Sequence, residues 1–380
     1  MISTDREAIP QGHIGWLELT AILVVMATAK IYLIYSERML RAGATASWSI
    51  PLIAGVLSLG WLLPLVHLLQ KYPGKSLIEI TRQLAGRPLA WAFGLVLFAY
   101  LLVVTATALE EVATILAIGI LPLSPVRYLA LIILAFAFAL AMLGLEPLGR
   151  LCVFVIAGAF ISIIVLALVS TPTWNYHHLF PLQGLGIAKV FAAGAISQAM
   201  YAEFIVIGLL TPYIRFRSGK SARIRRSVKW AWASSILIFT TVVLGVQMIL
   251  PYPAGVNDAA PLLRAARELY LSRFFQRFDV VFLFFWIVAA VAQLAIGLYS
   301  AGLALSSAFS IHNHRPLVLL TAVLSLAYVQ YVYDYSFTVV LDFDLMRPSS
   351  TVFVYVWVFV VLALSYLRRR PARGGDKAHA

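Results

Sequence analysis

The sequence predicts an all-α membrane protein whose ten transmembrane helices form two inverted repeats of five. Three observations predict this fold: the apolar composition, the recurrence of apolar segments of membrane-spanning length, and the uneven distribution of Lys and Arg between the loops. Of the 380 residues, 62% are hydrophobic and 12% are charged, whereas soluble domains are about 45–50% apolar and about 25% charged. The composition therefore indicates a chain that lies largely within the lipid bilayer.

The predicted spans follow from apolar runs, since a helix needs about 20 apolar residues to cross the hydrocarbon core. We expect residues 1–15 to form a cytoplasmic N-terminus, residues 16–367 to form the membrane domain, and residues 368–380 to form a basic cytoplasmic tail. The repeats are expected at about 16–170 and 188–367. The ten candidate spans are 16–36, 48–70, 90–118, 127–145, 149–170, 188–210, 229–250, 279–306, 316–334 and 350–367.

The basic residues predict the orientation of these spans. If the spans alternate across the membrane, 19 Lys and Arg fall on the side of the N-terminus and 8 on the other side. Cytoplasmic loops carry the excess of Lys and Arg, so both termini are predicted to be cytoplasmic. The basic run RFRSGKSARIRRSVK lies in one such loop and contributes most to the net charge of +13. A cytoplasmic loop beside anionic lipid explains this charge without a nucleic-acid partner.

Because each half contains an odd number of spans, five, the second half has the opposite orientation in the membrane to the first. This is the arrangement of inverted-repeat transporters, in which the binding site lies near the midplane beside discontinuous helices. The helices predicted to be broken are the first of each half, 16–36 and 188–210.

One charged residue lies deep in the first of these spans. Lys30, in the stretch MATAKIYLIYSE, is seven residues from the next charge. A lysine at the centre of a membrane helix costs about 2.5–3.5 kcal/mol on insertion scales. Lys30 therefore either faces the interior of the bundle and pairs with an acid, or extends its side chain toward the external interface.

The sixth span holds several polar and small residues in the stretch AAGAISQAMYAEFIVIG. In a continuous helix, Gln198 and Tyr201 share a face with Gly194 and Ser197, while Glu203 points away from it. An interruption near residues 198–203 would turn Glu203 inward. Glu203 is then either the polar centre of a broken helix or the partner of a neighbouring span.

The third span adds Thr107, Glu110 and Glu111 in the stretch TATALEEVATI. Two adjacent carboxyl groups inside a bilayer do not both ionise readily unless a cation lies nearby. Lys30 is the natural cation, so its predicted partner is Glu110, Glu111 or Glu203. The alternative for Glu110 and Glu111 is that the span ends early and both lie near the external headgroups.

The remaining polar and reactive residues give little indication of a catalytic or metal-binding site. Gln293 is deep in the eighth span and either joins two helices by a hydrogen bond or contacts a ligand. The single cysteine, Cys152, cannot form an intrachain disulfide, and the seven histidines show no spacing typical of metal ligands. The sequence contains no nucleophile elbow, metal motif or phosphate loop. We therefore expect no metal, no cofactor and no enzymatic activity.

Several stretches resemble the GerAB-like spore germination permeases, the B subunits of germinant receptors in the amino acid–polyamine–organocation transporter superfamily. The loop LLQKYPGKSLIEI after the second span is similar to the signature of that family. The stretches ILPLSPVRYL, NYHHLFPLQGLG and FQRFDVVFLFFWIV resemble the family at the end of the third span, in the fifth loop and at the start of the eighth span. The resemblance covers residues from about 14 to 367.

The resemblance implies a small-molecule pocket, usually for an amino acid, between the first, third, sixth and eighth spans. It also implies a complex with an A subunit and a lipoprotein C subunit in the inner membrane of a dormant spore. By position, the resemblance maps the first-span contacts onto Ala27, Thr28 and Ala29 and the third-span contacts near Val103, Thr107 and Glu111. It maps the others onto 198–203 and 289–293. Together with the charged residues found in the spans, the expected ligand contacts are Ala27, Thr28, Ala29, Lys30, Thr107, Glu110, Glu111, Gln198, Tyr201, Glu203 and Gln293.

The first span departs from the pattern of the family that it resembles. Members commonly have glycines near its centre and a proline at its outer end, where this chain has Ala29, Lys30 and Ser36. In related transporters a sodium ion can lie beside the first helix. The ammonium group of Lys30 offers the same positive charge without an ion, which is compatible with an acidic partner for Lys30.

Two functions remain open at this point, and both use the same pocket. The first is a receptor subunit that binds a nutrient, changes shape and triggers germination. The second is an amino acid permease, with protons carried by Glu203 or by Glu110 and Glu111. A structural scaffold does not explain the charged residues within the spans.

The first prediction concerns topology and is tested by cysteine labelling in a Cys152→Ser background. A single cysteine at Ser218, in the basic loop, is expected to be protected from a membrane-impermeant reagent, because that loop is predicted to be cytoplasmic. Labelling of Ser218→Cys from outside the cell would contradict the orientation.

Overall fold

The computed structural model describes residues 13–32, 35–214, 220–257, 261–267, 279–332 and 335–368. Within these ranges the chain is almost wholly helical, and its only pairing of extended backbone is a bridge between Ile14 and Ile214. The all-α prediction is confirmed. The predicted N-terminal segment and basic tail fall mostly on residues 1–12 and 369–380, which lie outside the described ranges, so the division into segments stays a prediction.

The α-helices are numbered along the chain. They are α1 (Trp16–Thr28), α2 (Tyr35–Gly43), α3 (Ile50–Lys71), α4 (Leu77–Ala85), α5 (Arg87–Gly119), α6 (Val126–Leu143), α7 (Leu145–Ser170), α8 (Ile187–Ser197), α9 (Ile207–Leu210), α10 (Lys220–Ile249), α11 (Pro261–Arg267), α12 (Asp279–Phe309), α13 (Arg315–Tyr331), α14 (Tyr335–Val340) and α15 (Arg347–Leu367).

Eight helical stretches among the described residues are long and apolar enough to cross a membrane. They account for eight of the predicted spans, although several begin or end some residues away from the expected position. The shorter apolar helix α13 corresponds to the predicted ninth span. The segment from α1 to Tyr32 corresponds to the predicted first span, and the total of ten spans stays a prediction.

The two helices predicted to be broken are both interrupted. After α1 the chain continues as the 3₁₀ segment Ala29–Tyr32, and α8 gives way to the 3₁₀ segment Gln198–Val206 before α9. A 3₁₀ stretch inside a helix has poorer hydrogen-bond geometry and often marks a functional position. A third interruption was not predicted: the π-helical segment Leu341–Met346 separates α14 from α15.

These interruptions are held in place by a tightly packed bundle. Helix α12 packs against α5, α6, α7 and α13, and α3 packs against α8, α10 and α15. Segment Gln198–Val206 lies against α1, α3 and α15, so the break in the sixth span is surrounded by helices from both halves. The capping box at the start of α4 fixes the short amphipathic helix that follows the second span, because Ser76 and Glu79 exchange side-chain to backbone hydrogen bonds.

Close contact between α5 and α12 depends on the absence of a side chain at Gly94. A Cβ atom at this position would lie 2.3 Å from Cβ and 3.4 Å from Cα of Ala308. Because Ala308 has no flexible side chain that can move aside, the two helices would have to separate.

Gly94→Ala is therefore expected to destabilise the protein by about 1–3 kcal/mol, as overpacking of a helix interface does. The measurement is thermal unfolding of the purified protein in detergent. Gly245→Ala is the matched control, since a Cβ there meets no atom within 4 Å and alanine favours a helix. Equal melting temperatures for the two variants would show that α5 and α12 are not tightly apposed.

Candidate functional site

The interrupted first and sixth spans bring Lys30 and Glu203 together. Lys30 lies in segment Ala29–Tyr32, and its Nζ donates a hydrogen bond to Oε2 of Glu203 in segment Gln198–Val206. Their side chains are 1% and 0% exposed. Glu203 is thus the one among the three predicted acids that pairs with Lys30. The alternative, in which Lys30 reaches the membrane interface, is wrong.

A second cation shares the same glutamate. Arg347, the first residue of α15, places its Nη1 3.3 Å from Oε1 of Glu203. Its Nε donates to Oδ2 of Asp342 at 2.7 Å, and its Nη2 lies 2.7 Å from the same oxygen. Lys30, Glu203, Arg347 and Asp342, named here the charge network, therefore link the first, sixth and last spans through consecutive ion pairs.

The charge network is balanced and almost fully buried. It contains two cations and two anions, and Arg347 and Asp342 are 7% and 1% exposed. Ionised side chains are costly within a membrane unless they face the interior of the bundle and pair with one another. Glu203 accepts from both cations with different oxygens, so its loss would leave two buried positive charges with one anion between them.

Aromatic rings surround the two cations. The ring of Tyr35 lies 5.3 Å from Nζ of Lys30 and 4.6 Å from the guanidinium carbon of Arg347. Phe343, whose ring centroid is 4.7 Å from that of Tyr35, is 5.3 Å from the same guanidinium carbon. Cations within about 6 Å of a ring centroid are attracted to the π face, so the rings stabilise the two charges.

Arg347 and Asp342 were missed by the sequence analysis. Arg347 was counted among the basic residues of the external loops, and the tenth span was expected to begin only at residue 350. Both expectations are wrong, because the polar run DFDLMR forms the π-helical segment and the first turn of α15 inside the bundle. Local spacing carries no signal for this pair, because Asp342 and Arg347 are five residues apart, whereas ion pairs on an α-helix are three or four residues apart.

The two carboxyl groups of the third span are also buried. Glu110 and Glu111 are 6% and 2% exposed in the continuous helix α5, so both face the interior of the bundle. Their depth in the membrane stays a prediction. Oε1 of Glu110 accepts weakly from Thr114 at 3.4 Å. Among the described residues, Oε2 of Glu110 and Oε1 of Glu111 have no hydrogen-bond partner. Thr107, one turn away, reaches Oδ1 of Asp342 at 3.5 Å and connects α5 to the charge network.

The other predicted site residues are not part of the ion pairs of the charge network. In the first span, Ala27, Thr28 and Ala29 are buried, and Thr28 bonds the backbone of its own helix. The hydroxyl group of Tyr201 donates to the carbonyl of Pro51 at 3.3 Å. Oε1 of Gln198 accepts from Tyr355 of α15 at 3.0 Å. Gln293 is 3% exposed within α12.

A small cavity of about 60 Å³ lies beside the charge network. Tyr35 and Arg347 form part of its wall, together with residues from the end of α8 and from segment Gln198–Val206. This volume is well below the range of about 300–1,000 Å³ for small-molecule sites. Within the part of the chain that the structure describes, no group of three or more His, Cys, Asp or Glu is arranged to hold a metal ion.

A helical membrane bundle with interrupted first and sixth helices around a buried polar centre has the architecture of inverted-repeat transporters. Solved structures agree. One match is to MHP1, a nucleobase-cation-symport-1 family transporter, in a closed conformation with bromovinylhydantoin bound. The matched region covers 96% of this chain and 81% of the MHP1 chain, with a TM-score of 0.60 and 16% identity. A second match is to MhsT in complex with L-phenylalanine. It covers 92% of this chain and 98% of the MhsT chain, with a TM-score of 0.61 and 11% identity. These similarities establish the inverted-repeat fold.

The sequence defines the family more closely. Residues 15–334 match the spore germination protein family, and the chain belongs to that family. It is 20% identical over 333 residues to spore germination protein B2 of Bacillus subtilis (strain 168), covering 87% of this chain and 89% of that protein. It is 23% identical over 291 residues to spore germination protein YndE of the same strain, covering 74% and 76%. The chain is therefore a multi-pass membrane protein of the germinant receptor and permease type.

Glu203 is expected to tolerate replacement less well than Gln293. Glu203→Ala leaves Lys30 and Arg347 with a shortage of negative charge, and removing one partner of a buried ion pair costs about 3–5 kcal/mol. Gln293→Ala removes an equally buried polar side chain without removing a charge. The two variants are compared by their yield in the membrane fraction and by thermal unfolding in detergent. Wild-type stability of Glu203→Ala would show that the charge network does not hold the three spans together.

Proposed function

We propose that this protein is the nutrient-binding subunit of a germinant receptor, and that it binds an amino acid at the membrane midplane and triggers germination. The observation that carries the proposal is the meeting of three interrupted helical segments at the charge network, beside a cavity. Interrupted helices expose backbone groups that a ligand can bond. A network that connects the first, sixth and last transmembrane segments can transmit a conformational change at the ligand site to much of the bundle.

The physical basis of signalling is the sharing of Glu203 between two cations. A ligand that draws Arg347 or Lys30 away from Glu203 changes the pairing of the other cation as well. A ligand shifts a conformational equilibrium only by its differential affinity for the two states. Contacts to residues whose ion pairs differ between states supply that differential affinity, so binding beside this network favours one arrangement of the spans.

The family membership supports further parts of the proposal. Germinant receptor B subunits would act with an A subunit and a lipoprotein C subunit, and we place this protein in such a complex in the inner membrane of the spore. Both termini are proposed to face the cytoplasm, as the distribution of Lys and Arg indicates. Genes for A and C subunits beside the gene for this chain would support this assignment.

The alternative function is an amino acid permease, and one observation favours it. Glu110 and Glu111 each have a buried carboxyl oxygen without a hydrogen-bond partner among the described residues. Intramembrane carboxyl groups of this kind often relay protons in transporters. A proton-coupled permease would use them to accept and release a proton during each transport cycle.

Two measurements on the purified protein separate the functions. A thermal-shift screen of L-amino acids in detergent identifies a ligand, since binding stabilises the protein by about 2.7 kcal/mol at 100 times Kd. Uptake of the same labelled amino acid into proteoliposomes, with and without a proton gradient, then tests transport. Binding without uptake supports the receptor function, and gradient-driven uptake supports the permease. Absence of a shift with every L-amino acid would contradict both.

Lys30→Met is expected to abolish most of the response to the amino acid while the protein still inserts into the membrane. Methionine is cheaper than lysine in hydrocarbon, but Glu203 then loses one of its two cations. We expect the amino acid concentration for half-maximal germination to rise about tenfold or more, which corresponds to a loss of at least about 1.4 kcal/mol. Lys30→Arg is expected to rescue poorly, because a planar guanidinium does not replace a compact ammonium group.

The control for this experiment is Lys189→Met, which removes an exposed lysine from α8. Dose–response curves are measured for all variants at matched abundance in the spore membrane. A Lys30→Met response equal to that of Lys189→Met would refute a functional role for the ammonium group of Lys30.

A further inference from the structure

The cavity beside the charge network has a distinct chemical character. Its wall comes from three parts of the chain: α2, the junction of α8 with segment Gln198–Val206, and the junction of the π-helical segment with α15. The lining residues are Tyr35, Arg38, Met39, Ile196, Ser197, Ala199, Met200, Phe343 and Arg347. Among these described residues two are arginines and none is acidic, so the wall is apolar and positively charged.

Arg38 lies near two carboxylates but is not within hydrogen-bond distance of either. Its Nε lies 3.9 Å from Oε2 of Glu37, and its Nη1 lies 3.8 Å from Oδ1 of Asp344. Both distances exceed that of a hydrogen bond, and the buried Nε has no hydrogen-bond partner among the described residues. Glu37 is already bonded to Arg41, whose Nε lies 2.7 Å from Oε1. A buried N–H without a partner is costly, which indicates that Arg38 is arranged to donate to something else.

Arg347 faces the same cavity with its orientation fixed. Its ion pairs with Asp342 and Glu203 fix the orientation of the guanidinium group. Each Nη atom carries two N–H bonds, so these pairs leave donors on Arg347 that they do not use. A guanidinium held in this way is preorganised, because little rotamer freedom is lost when it donates to a ligand.

The remaining wall fits a small apolar body. The rings of Tyr35 and Phe343 lie 4.7 Å apart, and the side chains of Met39 and Met200 line the cavity with them. Methionine side chains adapt to ligands of different shapes. The buried hydroxyl group of Tyr35 has no hydrogen-bond partner among the described residues and is a further donor near the arginines.

We propose that this cavity binds the carboxylate group of a small apolar monocarboxylate, with Arg38 and Arg347 as its two donors. Arg347 is neutralised by its ion pairs, and Arg38 lies within 4 Å of Glu37 and Asp344. The site therefore has little surplus positive charge, which suits a singly charged carboxylate better than a phosphate. The inference deepens the proposed function, on which it rests: an amino acid would enter with its carboxylate toward these arginines and its apolar side chain toward Tyr35, Phe343 and the methionines.

The test compares acids with their amides on the full-length protein in detergent. The probes are L-alanine, L-leucine and L-phenylalanine, their carboxamides, and the amine-free acids 4-methylpentanoate and 3-phenylpropionate. We expect thermal stabilisation by at least one acid and a Kd for its amide about tenfold higher or more, as the loss of a charge-assisted hydrogen bond predicts. Equal binding of acids and amides would overturn the proposal.

Variants of Arg38 test the residue itself. Arg38→Gln is expected to weaken acid binding about tenfold or more and to remove the preference for acid over amide. Arg38→Lys is expected to keep part of the preference, because it retains the charge without the planar fork. Arg150→Gln removes a largely exposed guanidinium from α7 and serves as the control. An unchanged acid preference in Arg38→Gln would overturn the assignment of Arg38, and the acid–amide comparison on the wild type needs no variant to fold.

The outcomes separate this inference from the proposed function. Stabilisation by the amine-free acids but by no amino acid would support the carboxylate site and contradict amino acid sensing. Stabilisation by amino acids and their amides alike would support amino acid binding and contradict the carboxylate site. Absence of stabilisation by every acid in the panel would overturn the carboxylate site, and the L-amino acid screen then decides the proposed function by itself.

Discussion

The structure depends on a chain of ion pairs between residues that the bilayer would otherwise exclude. Lys30, Glu203, Arg347 and Asp342 are each nearly inaccessible to solvent, and each has an oppositely charged partner within the same network. Because an unpaired charge in hydrocarbon is so costly, the segments that carry these residues are constrained to meet. The packing of α1, α3 and α15 around segment Gln198–Val206 is consistent with that constraint.

The interruptions in the helices and the charges explain each other. A regular helix through residue 203 would turn Glu203 away from the face formed by Gln198 and Tyr201, and the 3₁₀ segment brings it to Lys30 instead. Tyr201 donates a hydrogen bond to α3, and Gln198 accepts one from α15. These two hydrogen bonds also anchor the 3₁₀ segment. The local loss of regular helix geometry is thus offset by ion pairs that only the interrupted backbone permits.

Much of this arrangement could be predicted from sequence, and the reason for the rest is physical. Hydropathy and residue spacing identified the fold class, the broken sixth span and the pairing of Lys30 with an acid, because an intramembrane charge in an apolar run is conspicuous. Arg347 and Asp342 stand in the mixed run DFDLMR, beside Asp344 and Pro348, where a window of local composition resembles a loop. Their burial is decided by contacts with Glu203, 144 residues earlier in the chain, which no local pattern contains.

The spacing of the charge network along the chain has a consequence for biogenesis. Lys30 and Glu203 are separated by 173 residues, and Arg347 follows Glu203 by 144 more. During synthesis the first span therefore enters the membrane with its lysine unpaired, and four further spans follow before the sixth span brings Glu203. The second cation comes only with the last span. The complete charge network therefore forms only after the last span has inserted. A nascent chain that ends before α15 lacks Arg347, so Glu203 has only one of its two cations. Membrane quality control can act on this difference between incomplete and complete chains.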